Sequence, residues 1–273
     1  MTIVVYHTLS AALADAHFAA LRRRYNVVSL TDFLAARAIQ TRERLAPKSL
    51  IVTFDDGHRS NYALRSVIQK YRIPITIFLC SGIVGTHRHY WWTHAKDSRE
   101  AQELKLLRDE ERVQALIGLG HVDTREYDSR QSLSLDEITE MKSVVDFQSH
   151  TVFHAILPAC SFEKARWEIV ESKKTLEREH GLKIYALAYP NGDYSNRDVG
   201  LLQEAGYTCA LTLDTGFNDF QTDPFRLRRV ALPDEAGINE VIVKASGLWT
   251  FLKGVLLIES CRRDRGSMGL KDR

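Results

Sequence analysis

Leu50-Ile51-Val52-Thr53-Phe54-Asp55-Asp56-Gly57 is the stretch on which the fold turns. Leu50–Phe54 is apolar or β-branched throughout and shows no polar alternation. That is the pattern of a strand covered on both faces, as in a parallel sheet. Two adjacent carboxylates and a glycine follow where the strand should end. Burying both charges is costly unless a cation or hydrogen bonds compensate them. Asp-Gly alone is ordinary turn material. Its place after a buried strand is what counts, because α/β folds collect chemistry at strand C-termini.

Other runs of the same kind lie on both sides: Thr2–Tyr6, Pro74–Cys80, Tyr185–Tyr189 and Tyr207–Leu213, with a weaker one at Val144–Gln148. A short Val27-Val28 step precedes a helix expected at Leu30–Ile39. Further helices are expected at Leu13–Arg24, Asn61–Lys70, Leu133–Met141 and Asn196–Ala205. The best-marked helix is Phe162–His180, with Ser161 to cap it and Gly181 to end it. Repeated strand–helix units without a linker predict one α/β domain, open sheet or barrel, over residues 1–261. Residues 81–130 depart from this rhythm. They carry His87-Arg88-His89-Tyr90-Trp91-Trp92-Thr93-His94 and a charged helix expected at Ser98–Leu116, and read as an excursion on the functional rim. The polar Arg262–Arg273 reads as a flexible tail.

The 273 residues carry 37 Lys plus Arg against 35 Asp plus Glu, a net charge of +2, which argues against a nucleic-acid binder. No apolar run reaches the length of a membrane span. The first residues show no basic leader or cleavage site, so a cytoplasmic protein is expected. Cys80, Cys160, Cys209 and Cys261 have no metal-ligand spacing, and Cys80 reads as a small core residue. No nucleophile elbow, phosphate loop or dinucleotide fingerprint is present.

Ser149-His150-Thr151-Val152-Phe153-His154 supplies the second chemical element. Imidazoles four apart face the same way on a helical turn. With one carboxylate of the Asp pair they make a two-histidine, one-carboxylate set that leaves coordination positions open. Trp91 and Trp92 offer flat faces for sugar rings, or else rings that fold the excursion onto the barrel. The flanking His87, His89 and His94 read as surface residues.

TFDDG, SHTVFH and Leu187-Ala188-Tyr189-Pro190-Asn191-Gly192, in that order, resemble the polysaccharide deacetylase family, the NodB-homology or carbohydrate esterase family 4 group. Tyr6-His7, Asp214-Thr215-Gly216 and Phe225-Arg226-Leu227-Arg228-Arg229 resemble one branch of it. The likeness spans about Ile3 to Pro233. It implies a distorted (β/α)7 barrel, with Asp55 as general base and Asp56, His150 and His154 around one divalent ion, zinc being expected. It also implies a groove wall at Tyr189, Pro190 and Asn191, and a backbone N–H near Tyr189-Pro190 to stabilise an oxyanion.

The sequence departs from that family pattern twice. No histidine follows Asp214, so the branch likeness assigns the general acid to His7. The arginine that typically steadies the base is replaced by Ala188, and Arg229 or Arg228 is expected to substitute, with Asp214 holding an arginine or His7. The implied activity is hydrolytic removal of N-acetyl, less often O-acetyl, groups from a saccharide or sugar-carrier precursor of envelope or exopolysaccharide synthesis. Two other readings stay open: a small-molecule amidohydrolase or cyclic imidase on the same fold, and an inactive glycan-binding protein. Oligomeric state is left open as well.

Overall fold

The computed structural model describes residues 1–39 and 45–247. Cys261, the expected domain end at residue 261 and the expected tail from Arg262 lie outside the described residues. The strands are β1 (Thr2–Tyr6), β2 (Asn26–Val27), β3 (Ser49–Phe54), β4 (Ile75–Leu79), β5 (Val145–Ser149), β6 (Ala186–Ala188), β7 (Cys209–Leu211) and β8 (Val230–Ala231). Among them run α1 (Ala11–Arg24), α2 (Leu30–Ala38), α3 (Arg65–Tyr71), α4 (Ser98–Lys105), α5 (Asp109–Gly118), α6 (Leu135–Met141), α7 (Phe162–His180), α8 (Asn196–Glu204) and α9 (Ile238–Ala245).

Every pairing in the sheet is parallel, in the order β7-β6-β5-β4-β3-β1-β8, with β2 attached to β3. The sheet curls back on itself. The residues before β8 reach β7 through a parallel bridge between Leu211 and Leu227, while β8 pairs with β1. The result is the distorted seven-stranded (β/α) barrel expected from the sequence, with β2 outside the ring.

Period-two alternation divides the strand residues between two cores. Val4, Val52, Ile77, Phe147 and Leu187 pack outward with the helices. Ile3, Ile51, Phe78, Ala188, Leu211 and Leu227 form a separate inner cluster. Continuing the inward register by two residues gives Asp55 after Thr53, and Arg229 after Leu227. Both are buried. Alternation alone therefore seats a charged layer on top of an apolar plug.

The helix signals behave as their chemistry requires. Ser161 accepts the Lys164 N–H to start α7, and Gly181 ends it with φ of +61°. The charged helix expected over Ser98–Leu116 is broken into α4 and α5. The Arg108 N–H donates to Glu111, so the acidic Asp109-Glu110-Glu111 begins a new helix, where anions favour the N-terminal dipole. Both helices belong to the excursion between β4 and β5. Of its expected surface histidines, His87 is exposed, whereas His89 and His94 are half-buried in a ring cluster. His89 Nδ1 lies 3.2 Å from His94 Nε2, His89 stacks on Tyr127, and His94 meets the buried His121.

Candidate active site

Asp55 leaves β3 on the inward face and is 2% exposed. Arg229 Nη1 donates to its Oδ1 at 2.6 Å and Nη2 to its Oδ2 at 2.8 Å. Arg229 is itself wholly buried, and its Nε donates to Thr212 O at 2.9 Å. Arg228, the other candidate, is exposed, as alternation requires. Burial opposes ionisation of Asp55, but Arg229, then His150 and His7, override it and hold the carboxyl below its ordinary range.

Asp56 follows at φ of +71°, in the left-handed region that non-glycine residues rarely adopt. Its carboxyl is pushed up by burial, and the charge of Asp55 adds to this against His7 and His150. Its Oδ1 is buried without a hydrogen-bond donor. His150 Nε2 lies 3.5 Å and His154 Nε2 3.7 Å from that same oxygen. His150 Nδ1 is 2.8 Å from Ala188 O; a carbonyl only accepts, so Nδ1 donates to it and Nε2 is the nitrogen turned toward Asp56. Burial, then His150, Lys105 and His7, hold His154 well below the usual imidazole range and keep it neutral. One donor atom from each of the three lies within 4.8 Å of the others. An orphaned carboxylate oxygen facing two imidazole nitrogens suits a divalent cation.

The pair His150 and His154 converges by a different local structure from the one the spacing suggested. The segment is a turn, with Thr151 at φ of +66° and His154 at +57°. Its amides are met from behind by the buried Glu168 of α7, whose Oε2 accepts the Val152 N–H at 2.8 Å and the Phe153 N–H at 3.1 Å. Counting Asn191, four of the six non-glycine residues at positive φ stand at this site among the described residues, so backbone strain is concentrated there.

Gly57 is needed for the Asp pair to turn. Its φ is +71°, and a Cβ would lie 2.5 Å from Leu79 Cδ2. Gly57→Ala is expected to cost about 1–2 kcal/mol for the backbone alone, with displacement of Leu79 adding to it. Urea unfolding measures this, and an unchanged midpoint would refute the requirement.

His7 directly follows β1, which pairs with β3, and lines the same cavity of about 550 Å³ as Asp55, Asp56, His150 and His154. Its backbone is held on both sides. The His7 N–H donates to Asp234 Oδ1 at 3.0 Å, and Asn61 Nδ2 donates to His7 O at 2.8 Å. Neither Asn61 nor Asp234 stood out in the sequence, and neither did Glu168. A polar residue far from the motif it supports leaves no local pattern.

The expected wall residues divide. Trp92 lines the cavity, its ring centroid 4.4 Å from that of His154 and stacked on Tyr90. Trp91 is buried with Leu104, Leu116 and Ile156, and its indole N–H donates to His154 O at 3.3 Å. Asn191 lines the cavity, while Pro190 and Tyr189 are buried. The Tyr189 N–H donates to Leu211 O at 3.0 Å, and proline has no N–H, so neither supplies the oxyanion donor expected there. Asp214 Oδ2 accepts from the Tyr194 hydroxyl at 3.3 Å, and its backbone carbonyl accepts the Arg229 backbone N–H at 3.1 Å. The expected support of an arginine or His7 by the Asp214 side chain is not formed.

The comparisons with known proteins agree with this architecture. The polysaccharide deacetylase family model matches residues 42–210. YxkH of Bacillus subtilis (strain 168), which carries a polysaccharide deacetylase name, is 21% identical over 240 residues, covering 84% of this chain and 70% of its own. Among solved structures, the Streptococcus pyogenes deacetylase PplD, determined with acetate, superposes with a TM-score of 0.67 at 19% identity, covering 90% of this chain and 97% of that one. IcaB from Ammonifex degensii gives 0.64 at 20% identity, covering 90% and 95%. At such identities the structural likeness speaks for the fold. The family match spans more than half of the residues, and the chain belongs to the polysaccharide deacetylase family.

Proposed function

We propose that the protein is a metal-dependent hydrolase that removes N-acetyl groups from an amino sugar or a sugar-carrier precursor of an envelope glycan or exopolysaccharide. The observation that carries this reading is the convergence of Asp56, His150 and His154 on one point beside an arginine-clamped Asp55, all facing one cavity. Family membership supports glycan deacetylation, and the names of PplD and YxkH point the same way. No helix among the described residues is long and apolar enough to cross a membrane.

Asp56, His150 and His154 would hold the ion, zinc by the chemistry of the donor set. Such an ion supplies Lewis-acid polarisation of the acetyl carbonyl and acidifies water in the site. The chain's own residues carry the protons. Asp55, kept as a carboxylate by Arg229, takes a proton from the attacking water. His7 gives a proton to the sugar nitrogen as the C–N bond breaks, because an amide anion is too poor a leaving group. Acetate and the free amine result. Trp92 offers its face to the sugar ring, and the strained corner at Asn191 closes the opposite side.

The test is acetate release by zinc-loaded protein from N-acetylglucosamine oligomers and acetylated sugar phosphates. Turnover is expected, its loss after chelation, and its return on adding zinc. Absence of acetate from every acetylated saccharide would overturn the reading. Binding without turnover would favour the glycan-binding alternative, and turnover of cyclic imides alone the small-molecule one.

A further inference from the structure

One wall of the cavity comes from a single piece of the excursion, Trp92 through α4. Within α4 the cavity-lining residues are Ser98, Ala101, Gln102 and Lys105. Their spacing of three, four and seven puts them on one stripe of the helix. Leu104 anchors the other side in a cluster with Trp91, Leu116 and Ile156, so the helix cannot rotate that stripe away without exposing apolar surface.

The charges on this wall are unequal. Asp97 is occupied as the α4 N-cap, its Oδ1 accepting the Glu100 N–H at 2.9 Å. Lys105 is half-buried and has no acid partner among the described residues, and it is the one lysine or arginine that lines this cavity. On the far side the carboxylate of Asp55 is engaged by Arg229, and Asp56 faces the two imidazoles. A lysine in the last turn of a helix gains from the carbonyl-end dipole wherever its side chain points. That explains a cation near residue 105 but not its facing the cavity, where it loses hydration and gains no carboxylate.

Resting on the deacetylase reading above, we propose that Lys105 is a specificity-determining residue that binds an anionic group, carboxylate or phosphate, carried by the acetylated sugar or by the unit joined to it. Gln102 and Ser98, one and two turns away on the same stripe, supply hydrogen bonds to neighbouring hydroxyls. The substrate class is then an acidic glycan or a phosphate-linked sugar, and a neutral acetylated polymer is the poorer substrate.

Acetate release compares three probes: N-acetylchitotetraose as the neutral one, an oligosaccharide alternating N-acetylglucosamine with glucuronate, and N-acetylglucosamine 1-phosphate. The wild type is expected to show higher kcat/KM for at least one anionic probe, which also identifies the source of the charge. A hydrogen bond to a charged group at a half-exposed site sets the scale at roughly tenfold. Lys105→Ala and Lys105→Glu should lower the anionic-to-neutral ratio by about that factor, Lys105→Arg should restore it, and added salt should erode it in the wild type. Equal wild-type kcat/KM for neutral and anionic probes would overturn the proposal and leave the deacetylase reading standing. So would an equal fall for all probes in Lys105→Ala, the mark of a structural role. No acetate from any probe would overturn both.

Discussion

Asp55→Asn is expected to lower deacetylation by about 10²–10⁴-fold, the usual worth of a positioned general base, while leaving zinc bound. Arg229→Met should lose comparable activity for a different reason and lose stability as well. Arg229 meets both Asp55 oxygens, at 2.6 and 2.8 Å, and both residues are shielded from water. Removing one partner of such a pair leaves an uncompensated buried charge, at a cost of about 3–5 kcal/mol. The carboxyl of Asp55 then rises, because burial has lost its main opponent, and its proton-accepting form is depleted. Removing both charges, in Asp55→Asn with Arg229→Met, should recover much of the stability and none of the activity. Urea unfolding and acetate release read the two effects separately. Full activity in Asp55→Asn would remove Asp55 from the role of base, and an Arg229→Met protein as stable as wild type would show that the clamp is unimportant.

The same pair gives a signed pH dependence. The folded-state pKa of Asp55 lies below its unfolded value. Its contribution to stability is therefore complete above the ordinary aspartate range and disappears as pH falls through the lower, folded value. Acid unfolding of Arg229→Met should lack this component.

Much of this was legible from residue patterns. Apolar runs located the strands because both faces of a parallel barrel are covered. Phe162–His180 was bounded correctly because Ser161 and Gly181 satisfy its ends chemically. The Asp55–Arg229 contact joins residues 174 positions apart, and the sequence could place an arginine there only through family likeness. Once the strands exist, alternation decides between Arg228 and Arg229. The spacing of His150 and His154 pointed to convergence but to the wrong backbone, since left-handed φ values at Thr151 and His154 carry no signature in these residue types. Tyr189, expected in the groove wall, is instead buried and donates its hydroxyl to Phe225 O at 3.0 Å. A tyrosine beside a motif looks the same whether its ring faces substrate or core.

Glu168 shows how much of the site depends on a residue outside every motif. It lies on α7, is wholly buried, and receives the Val152 and Phe153 amides that the strained turn leaves without backbone partners. Its Oε1 pairs with Lys164 at 3.0 Å. Glu168→Ala should orphan two buried amides at about 1–3 kcal/mol each and free the turn to relax toward ordinary backbone angles. Relaxation would separate the imidazoles of His150 and His154. Outer-shell losses of this kind cost roughly 10–100-fold in metal affinity. Lys164→Met is the control: it removes the cation beside a buried carboxylate but keeps the acceptor for the two amides, so stability should fall by up to about 3 kcal/mol, with zinc affinity little changed. Zinc titration calorimetry on both variants separates the roles. Wild-type zinc affinity in Glu168→Ala would mean that the turn holds its shape unaided, and that the strain at Thr151 and His154 is supported from elsewhere.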